Sequence, residues 1–289
     1  MGILLGLLTA LAWGGSDFIA RFATQRVGTL RTMLYMQATG FVLLTIFLPW
    51  LGGWGHLADG SGWRPWAWGL LAGGINACAT LTFYRAFEIG KISVVAPVSA
   101  SYPALTLLIS WMSGEHLTSV RVAGIVLTLL GVVIVAAFEK TSAESDAAGQ
   151  NSGRGIGWAI AAAILFALLF WLLGIRVIPQ VGATQAVWLI RLTSAVLGLV
   201  AVILAKQRIR LPRGEVRWMA LGMGAMDTAA FVFSNRGMQM EQIAVISVLG
   251  SLYGAVTVAL AAVFLRERIS RWQFAGIVTI FAGILLISR

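Results

Sequence analysis

Two carboxylates stand inside apolar stretches of this chain, and an acid in such a setting is there to hold a cation or a proton unless it is neutralised locally. Asp17 follows Trp13-Gly14-Gly15-Ser16, and Asp227 follows Met223-Gly224-Ala225-Met226. Both are candidates for proton or cation coupling and for contact with a substrate ammonium group. Arg21 lies four residues beyond Asp17, so an i,i+4 ion pair whose two members snorkel toward one surface is the competing role. Arg191, some seven residues into an apolar run, either snorkels out or pairs with Asp227, Asp17 or a substrate carboxylate.

Around these charges lie polar and aromatic stripes at helical spacing. Asn76, Thr80 and Tyr84 fall on one helix face, and Asp227, Phe231 and Asn235 on another. Ser99, Tyr102, Thr106 and Ser113 make a third face, which Pro97 and Pro103 interrupt. Ser247, Ser251 and Tyr253 accompany the small-residue pair Gly250 and Gly254, whose spacing allows helix backbones to approach closely. Trp13, Trp171 and Trp188 lie deep in apolar runs and are either lipid anchors or an aromatic lining. Trp50, Trp54, Trp63, Trp66 and Trp68 crowd one connection and read as an interfacial belt. Helix–helix hydrogen bonding, worth about 0.6–2 kcal/mol per contact in membranes, is the alternative use of Asn76 and Thr80. The candidate substrate-binding set is thus Trp13, Asp17, Asn76, Thr80, Tyr84, Ser99, Tyr102, Trp171, Trp188, Arg191, Asp227, Asn235, Ser251 and Tyr253.

The elements that must carry these residues follow from composition. Of 289 residues, 59 % are apolar and 11 % charged, against about 25 % charged in a soluble domain. A mean hydropathy of +0.88 excludes a soluble globular enzyme. The apolar runs are continuous rather than alternating, which argues for helices and against a β-barrel. Ten spans are predicted, at 3–22, 33–51, 66–87, 92–113, 120–138, 156–175, 185–205, 217–238, 243–264 and 272–288. The first has no basic leader and runs on past Trp13, so it reads as a span rather than a signal peptide. His56 and His116 fall in connections, Cys78 is the single cysteine, and there is no phosphate-binding loop. No catalytic residue, metal, cofactor, ATP or nucleic acid is therefore expected. The expected partners are a small-molecule substrate and membrane lipid.

The stretch 139–154 (EKTSAESDAAGQNSGR) is polar and rich in Ser and Gly, and reads as a linker between repeats at 1–138 and 155–289. An offset of 151 lays Gly73 on Gly224, Asn76 on Asp227, Arg85 on Arg236, Ile92 on Ile243 and Tyr102 on Tyr253. An offset of 152 lays Glu115 on Glu267, Gly124 on Gly276 and Gly131 on Gly283. Five spans per copy is an odd number, so the second copy enters the membrane inverted, an arrangement that recurs in transporters. Connections after odd-numbered spans hold fifteen Lys and Arg residues, while those after even-numbered spans and the C-terminus hold five. The positive-inside rule places the former in the cytoplasm and both termini outside. The fold expected is all-α: a polytopic membrane protein of ten transmembrane helices in two inverted five-helix repeats.

The chain resembles the ten-helix, EamA-type branch of the drug/metabolite transporter superfamily. The resemblance rests on Ala10-Leu11-Ala12-Trp13-Gly14-Gly15-Ser16, on Tyr102-Pro103-Ala104-Leu105 leading to Gly114-Glu115-His116-Leu117, and on Arg266-Glu267-Arg268-Ile269. The glycines at 124, 131, 276 and 283 and the duplicated order complete it. It departs from the family where Gly254-Ala255 replaces the first copy's Pro103, where Arg266 precedes Glu267, and in carrying an acid at position 17. The resemblance implies secondary transport of small organic metabolites across the cell membrane by alternating access, most often export. Amino acids, including aromatic ones, are among the expected substrates. A multidrug or cation exporter using Asp17, and a scaffold or sensor subunit that transports nothing, are the alternatives.

Overall fold

The computed structural model describes residues 1–114, 116, 118–143, 152–209, 211–240, 243–266 and 269–287. Every regular element among them is helical. The first half contains α1 (Gly2–Val27), α2 (Thr29–Phe47), α3 (Arg64–Ile89), α4 (Ile92–Ser99), α5 (Tyr102–Met112) and α6 (Ser119–Ala143). The second contains α7 (Ser152–Leu172), α8 (Ile178–Val181), α9 (Ala183–Leu204), α10 (Glu215–Met240), α11 (Ile243–Ser251), α12 (Tyr253–Leu260) and α13 (Arg271–Ile287). Most of the expected linker, residues 144–151, lies outside the described residues, as do Glu115 and Glu267. Helix α6 continues to Ala143, beyond the expected span end at 138.

Among the described residues, six stretches are long and apolar enough to cross a membrane: Gly2–Val27, Thr29–Trp50, Ile92–Met112, Gly155–Val181, Ala183–Leu204 and Val245–Leu265. Ser119–Val135 and Arg271–Ile287 are apolar but shorter. Helices α3 and α10 have the length of a span, at 26 residues each, yet do not meet the same test. They carry charges at their ends and the polar stripes along their faces, so their mean hydropathy falls. The outer faces of the apolar helices expose large side chains, including Leu4, Leu7 and Leu11 on α1 and Val196, Val200 and Ile203 on α9. Apolar surface on this scale is stable only against lipid.

Two of the spans are broken, and at matching places. Pro97 and Pro103 flank the break between α4 and α5, where the Ser101 hydroxyl donates to the Val98 carbonyl at 2.7 Å. The break between α11 and α12 contains no proline. There the Ser251 hydroxyl donates to the Val248 carbonyl at 2.8 Å, and the chain tightens through Leu252 N–H to Leu249 and Ala255 N–H to Leu252. Carbonyls freed at a break must find partners when no water is near, and a serine hydroxyl supplies one in each half. Both breaks are followed at once by a tyrosine, Tyr102 or Tyr253.

The helices pair across the halves. Helix α1 packs along α10 as α7 packs along α3, α2 meets α9, and α6 meets α13. The last pair is the closest. A Cβ added to Gly124 would meet the Gly283 carbonyl at 2.8 Å, and one added to Gly131 would meet the Gly276 carbonyl at 2.8 Å. The low end of α6 therefore faces the high end of α13, so the two run antiparallel. The offset of 152 exchanges Gly124 with Gly276 and Gly131 with Gly283, so the contact maps onto itself. Only glycine permits backbones this near. A Gly283→Val side chain would strike the Thr128 backbone nitrogen at 2.5 Å, and overpacking of this kind costs about 1–3 kcal/mol. The expected outcome is a lower melting temperature in detergent for Gly283→Val, and an unchanged melt would remove this contact from the account.

Candidate functional site

Both in-span acids, with Thr80 and Tyr84, line one pocket in the middle of the bundle, with free space of about 40 Å³. Helix α1 contributes Trp13 and Asp17, one turn apart on the same face. That face is held in place by its neighbours. The Thr9 hydroxyl donates to the Ala230 carbonyl at 3.3 Å, and the Ser16 hydroxyl to the Met223 carbonyl at 3.1 Å, both on α10. On the other flank the Thr257 hydroxyl donates to the Gly14 carbonyl at 3.4 Å. A Cβ on Gly14 would lie 2.5 Å from Val256, so the glycine lets α12 bring Tyr253 up to Trp13.

Aromatic rings make most of the wall. The Trp13 ring stands edge-to-face with Phe231 at 5.2 Å, Phe170 at 5.7 Å and Tyr253 at 6.0 Å between centroids. Tyr102 stacks on Phe170 at 4.7 Å and donates its hydroxyl to the Ser247 carbonyl at 3.2 Å. Phe83 and Tyr84 of α3 and Phe166 of α7 close another side, with Phe83 and Phe166 at 5.8 Å. The Tyr253 hydroxyl is buried and has no hydrogen-bond partner among the described residues.

The two acids are treated differently. Arg191 is 0 % exposed, which overturns the snorkelling expectation. Its Nη2 lies 2.5 Å from Asp227 Oδ2, its Nη1 donates to Gln37 Oε1 at 2.7 Å, and its guanidinium sits 5.0 Å from the centre of the Phe231 ring. The alternative pairings of Arg191 with Asp17 or a substrate are thereby superseded by Asp227. Gly40 makes room for this arrangement: a Cβ there would collide with the Thr228 hydroxyl and lie 3.0 Å from Arg191 Cδ. Asp17, 5 % exposed, has no hydrogen bond or ion pair to any described residue. The i,i+4 partner considered for it, Arg21, donates to the carbonyls of Phe87 and, at 2.8 Å, Gly90. With Asp227 paired to Arg191, Asp17 is left as an acid without a partner among the described residues, set among aromatic faces.

The model of the EamA-like transporter family matches residues 1–137 and again residues 153–289. The chain belongs to this family. An uncharacterized protein of Methanocaldococcus jannaschii is 27 % identical over 134 residues, which cover 46 % of this chain and 94 % of that protein. That relative is therefore about as long as one repeat. A crystal structure that is 18 % identical superposes with a TM-score of 0.70, covering 99 % of this chain and 95 % of the other. At that identity the likeness concerns the fold.

In this EamA-like chain, Trp13, Asp17, Thr80, Tyr84, Tyr102, Asp227 and Tyr253 of the sequence-derived set line the cavity together. The others lie elsewhere. Asn76 Nδ2 donates to the Ser194 hydroxyl at 3.1 Å, joining α3 to α9. Asn235 Nδ2 donates to the Ala183 carbonyl at 3.0 Å, and Ser99 donates to Ala159 at 3.5 Å. Ser251 serves the helix break, Trp171 packs against the core, and Arg191 stands behind Asp227. Trp188 donates to the Thr45 hydroxyl at 2.8 Å and meets Trp54 and Trp66 edge-on, away from the cavity lining. The structure adds Met36, Phe83, Phe166 and Phe170 to the lining. Phe166 and Phe170 are four apart in α7, a spacing legible in the sequence but indistinguishable there from a lipid-facing stripe.

Removing one member of a buried ion pair strands the other and costs about 3–5 kcal/mol. Arg191→Gln is expected to lose stability on that scale in an unfolding titration, and the double variant with Asp227→Asn to recover a large part of it. A double variant no better than the single would show that Arg191 stabilises the bundle by packing alone.

Proposed function

We propose that this chain is a secondary carrier, not an enzyme, that moves small organic solutes bearing an ammonium group and an apolar or aromatic body across the cell membrane by alternating access. The observation that carries the reading is the unpartnered Asp17 carboxylate in a cavity walled by Trp13, Phe83, Phe170, Phe231 and Tyr253. A carboxylate supplies the charge for an ammonium group, and aromatic faces both attract cations and hold an apolar body. The free Tyr253 hydroxyl offers one further hydrogen bond.

In this reading the carrier consists of repeats at 1–138 and 155–289, each of five spans and inverted with respect to the other, joined by 139–154. The two family matches, the antiparallel contact of α6 with α13 and the matching breaks support it. The charge bias supports a cell-membrane orientation with both termini outside. Export is the direction that the sequence resemblance implies. Amino acids with apolar or aromatic side chains are one class that matches the chemistry of the lining, in a state where the pocket has opened. The second reading, an exporter of organic cations, is favoured by one observation: Asp227 and Gln37 engage Arg191, so it is not poised to meet a substrate carboxylate.

Phenylalanine and phenethylamine separate these classes, since they share the ring and the ammonium group and differ in the carboxylate. A ligand at a hundredfold excess over its Kd stabilises a protein by about 2.7 kcal/mol. The expected result is a saturable thermal shift of the purified protein with an amine of this shape, abolished in Asp17→Asn. Stabilisation by phenylalanine alone would favour the amino-acid class. A shift that persists in Asp17→Asn would overturn the role given to this carboxylate.

A further inference from the structure

A second concavity lies outside the bundle, on the face where basic residues are scarce. It is lined by Trp63 and, from the start of α3, by Arg64, Trp68 and Leu71, and by Arg176 and Gln180 from the segment that follows α7. Arg176 sits in the π-helical turn Leu173–Val177, which joins α7 to α8. Only five Lys and Arg residues belong to this side of the charge pattern, and two of them meet in this one groove. Neither guanidinium makes an ion pair or a hydrogen bond with a described residue, and no carboxylate lines the groove among those residues. Arg236, on the same side, is by contrast engaged by the Leu51 carbonyl at 2.8 Å.

The groove is amphipathic along its length. Arg64, Trp68 and Leu71 fall on one face of α3, with Trp63 immediately before the helix, a run of roughly 10 Å at the helical rise. The charged end lies at the first turn of α3, beside the tryptophans 50, 54, 63, 66 and 68, whose crowding in one connection reads as an interfacial belt. The other end reaches Leu71, which is exposed, as is its neighbour Leu70, an apolar surface of the kind that lipid covers. Trp63 and Trp68 form apolar sides between the two. Positive charge at headgroup depth with an apolar channel running away from it matches one kind of ligand.

We propose that this groove between the start of α3 and the α7–α8 turn is a binding site for an anionic phospholipid, with Arg64 and Arg176 holding the phosphate and Trp68 and Leu71 receiving an acyl chain. Arginine suits the task because its planar fork donates two parallel hydrogen bonds to phosphate oxygens. Bound lipid would bridge α3 to α7 and α8 at this edge of the bundle. The site is separate from the central cavity and does not depend on what that cavity carries.

The test uses the full chain in a neutral detergent, titrated with phosphatidylglycerol, phosphatidylcholine or inorganic phosphate, with thermal stability and native mass spectrometry as readouts. Phosphatidylglycerol is expected to raise the melting temperature saturably and to remain bound in the spectrum, while phosphatidylcholine binds much more weakly. Arg64→Gln or Arg176→Gln is expected to weaken binding roughly fivefold, and the pair together about thirtyfold. Arg121→Gln, on a different connection of the same side, is expected to leave binding unchanged. Both arginines are exposed, so monodisperse elution of the variants checks that folding is intact; if the double variant fails to elute so, the single variants carry the test. Equal binding of the two lipids would overturn the proposal, and so would the same shift from inorganic phosphate, which would make this a free-anion site. Undiminished phosphatidylglycerol binding in the arginine variants would overturn it too.

Discussion

A guanidinium with no exposure, inside a bundle whose outer surface faces lipid, has to be neutralised from within the bundle. Arg191 is in that position, and much of the centre of this protein is arranged around it. Asp227 on α10 neutralises it, Gln37 on α2 accepts a further hydrogen bond, and Phe231 offers its ring face. Three helices are thereby held in one register. The absence of a side chain at Gly40 is part of the same arrangement, because any Cβ there would occupy the space that Thr228 and Arg191 fill. Breaking such a pair is costly even though forming it from solvated ions gains little.

The pair also sets the chemistry of the cavity. Without Arg191, two carboxylates would share one apolar chamber and repel. With it, Asp17 is the acid of the lining that has no partner among the described residues, and aromatic side chains surround it. The halves contribute equivalent positions to this chamber, Tyr102 with Tyr253 and Thr80 with Phe231. Their chemistry has diverged where it matters most. Asn76, the counterpart of Asp227, is used in a hydrogen bond to Ser194 that ties α3 to α9. The repeat therefore supplies the framework, and substitutions between the copies supply the charge.

The EamA-like family was readable from short motifs because their order is duplicated, and two degenerate patterns in register are far more specific than one. The helical class and the membrane setting follow from composition alone, since continuous apolar runs have no other stable environment. The broken spans were only half legible. Pro97 and Pro103 announce the first break, whereas the second has no proline and is made by a tightened turn that a serine hydroxyl completes. The span count was harder, because α3 and α10 dilute their apolar character with charges at their ends and polar residues along their faces.

By itself the sequence determined that this is a helical membrane protein of two repeats, that Asp17 and Asp227 are costly groups needing a purpose, and that basic residues concentrate in particular connections between apolar runs. Periodicity gives the face of a helix on which a residue lies, and nothing in it says which neighbour that face meets. Tertiary structure alone decided that Arg191 turns inward to Asp227, that Asn76 and Asn235 are spent on helix contacts, and that Trp188 joins other tryptophans away from the cavity. It also decided that Arg64 and Arg176, more than a hundred residues apart, share one groove. The physical reason is the same in each case. In lipid, the hydrophobic effect does not drive one helix against another, so the partner of each face is chosen by close backbone approach and by the need to satisfy buried charge. Both are properties of three-dimensional packing.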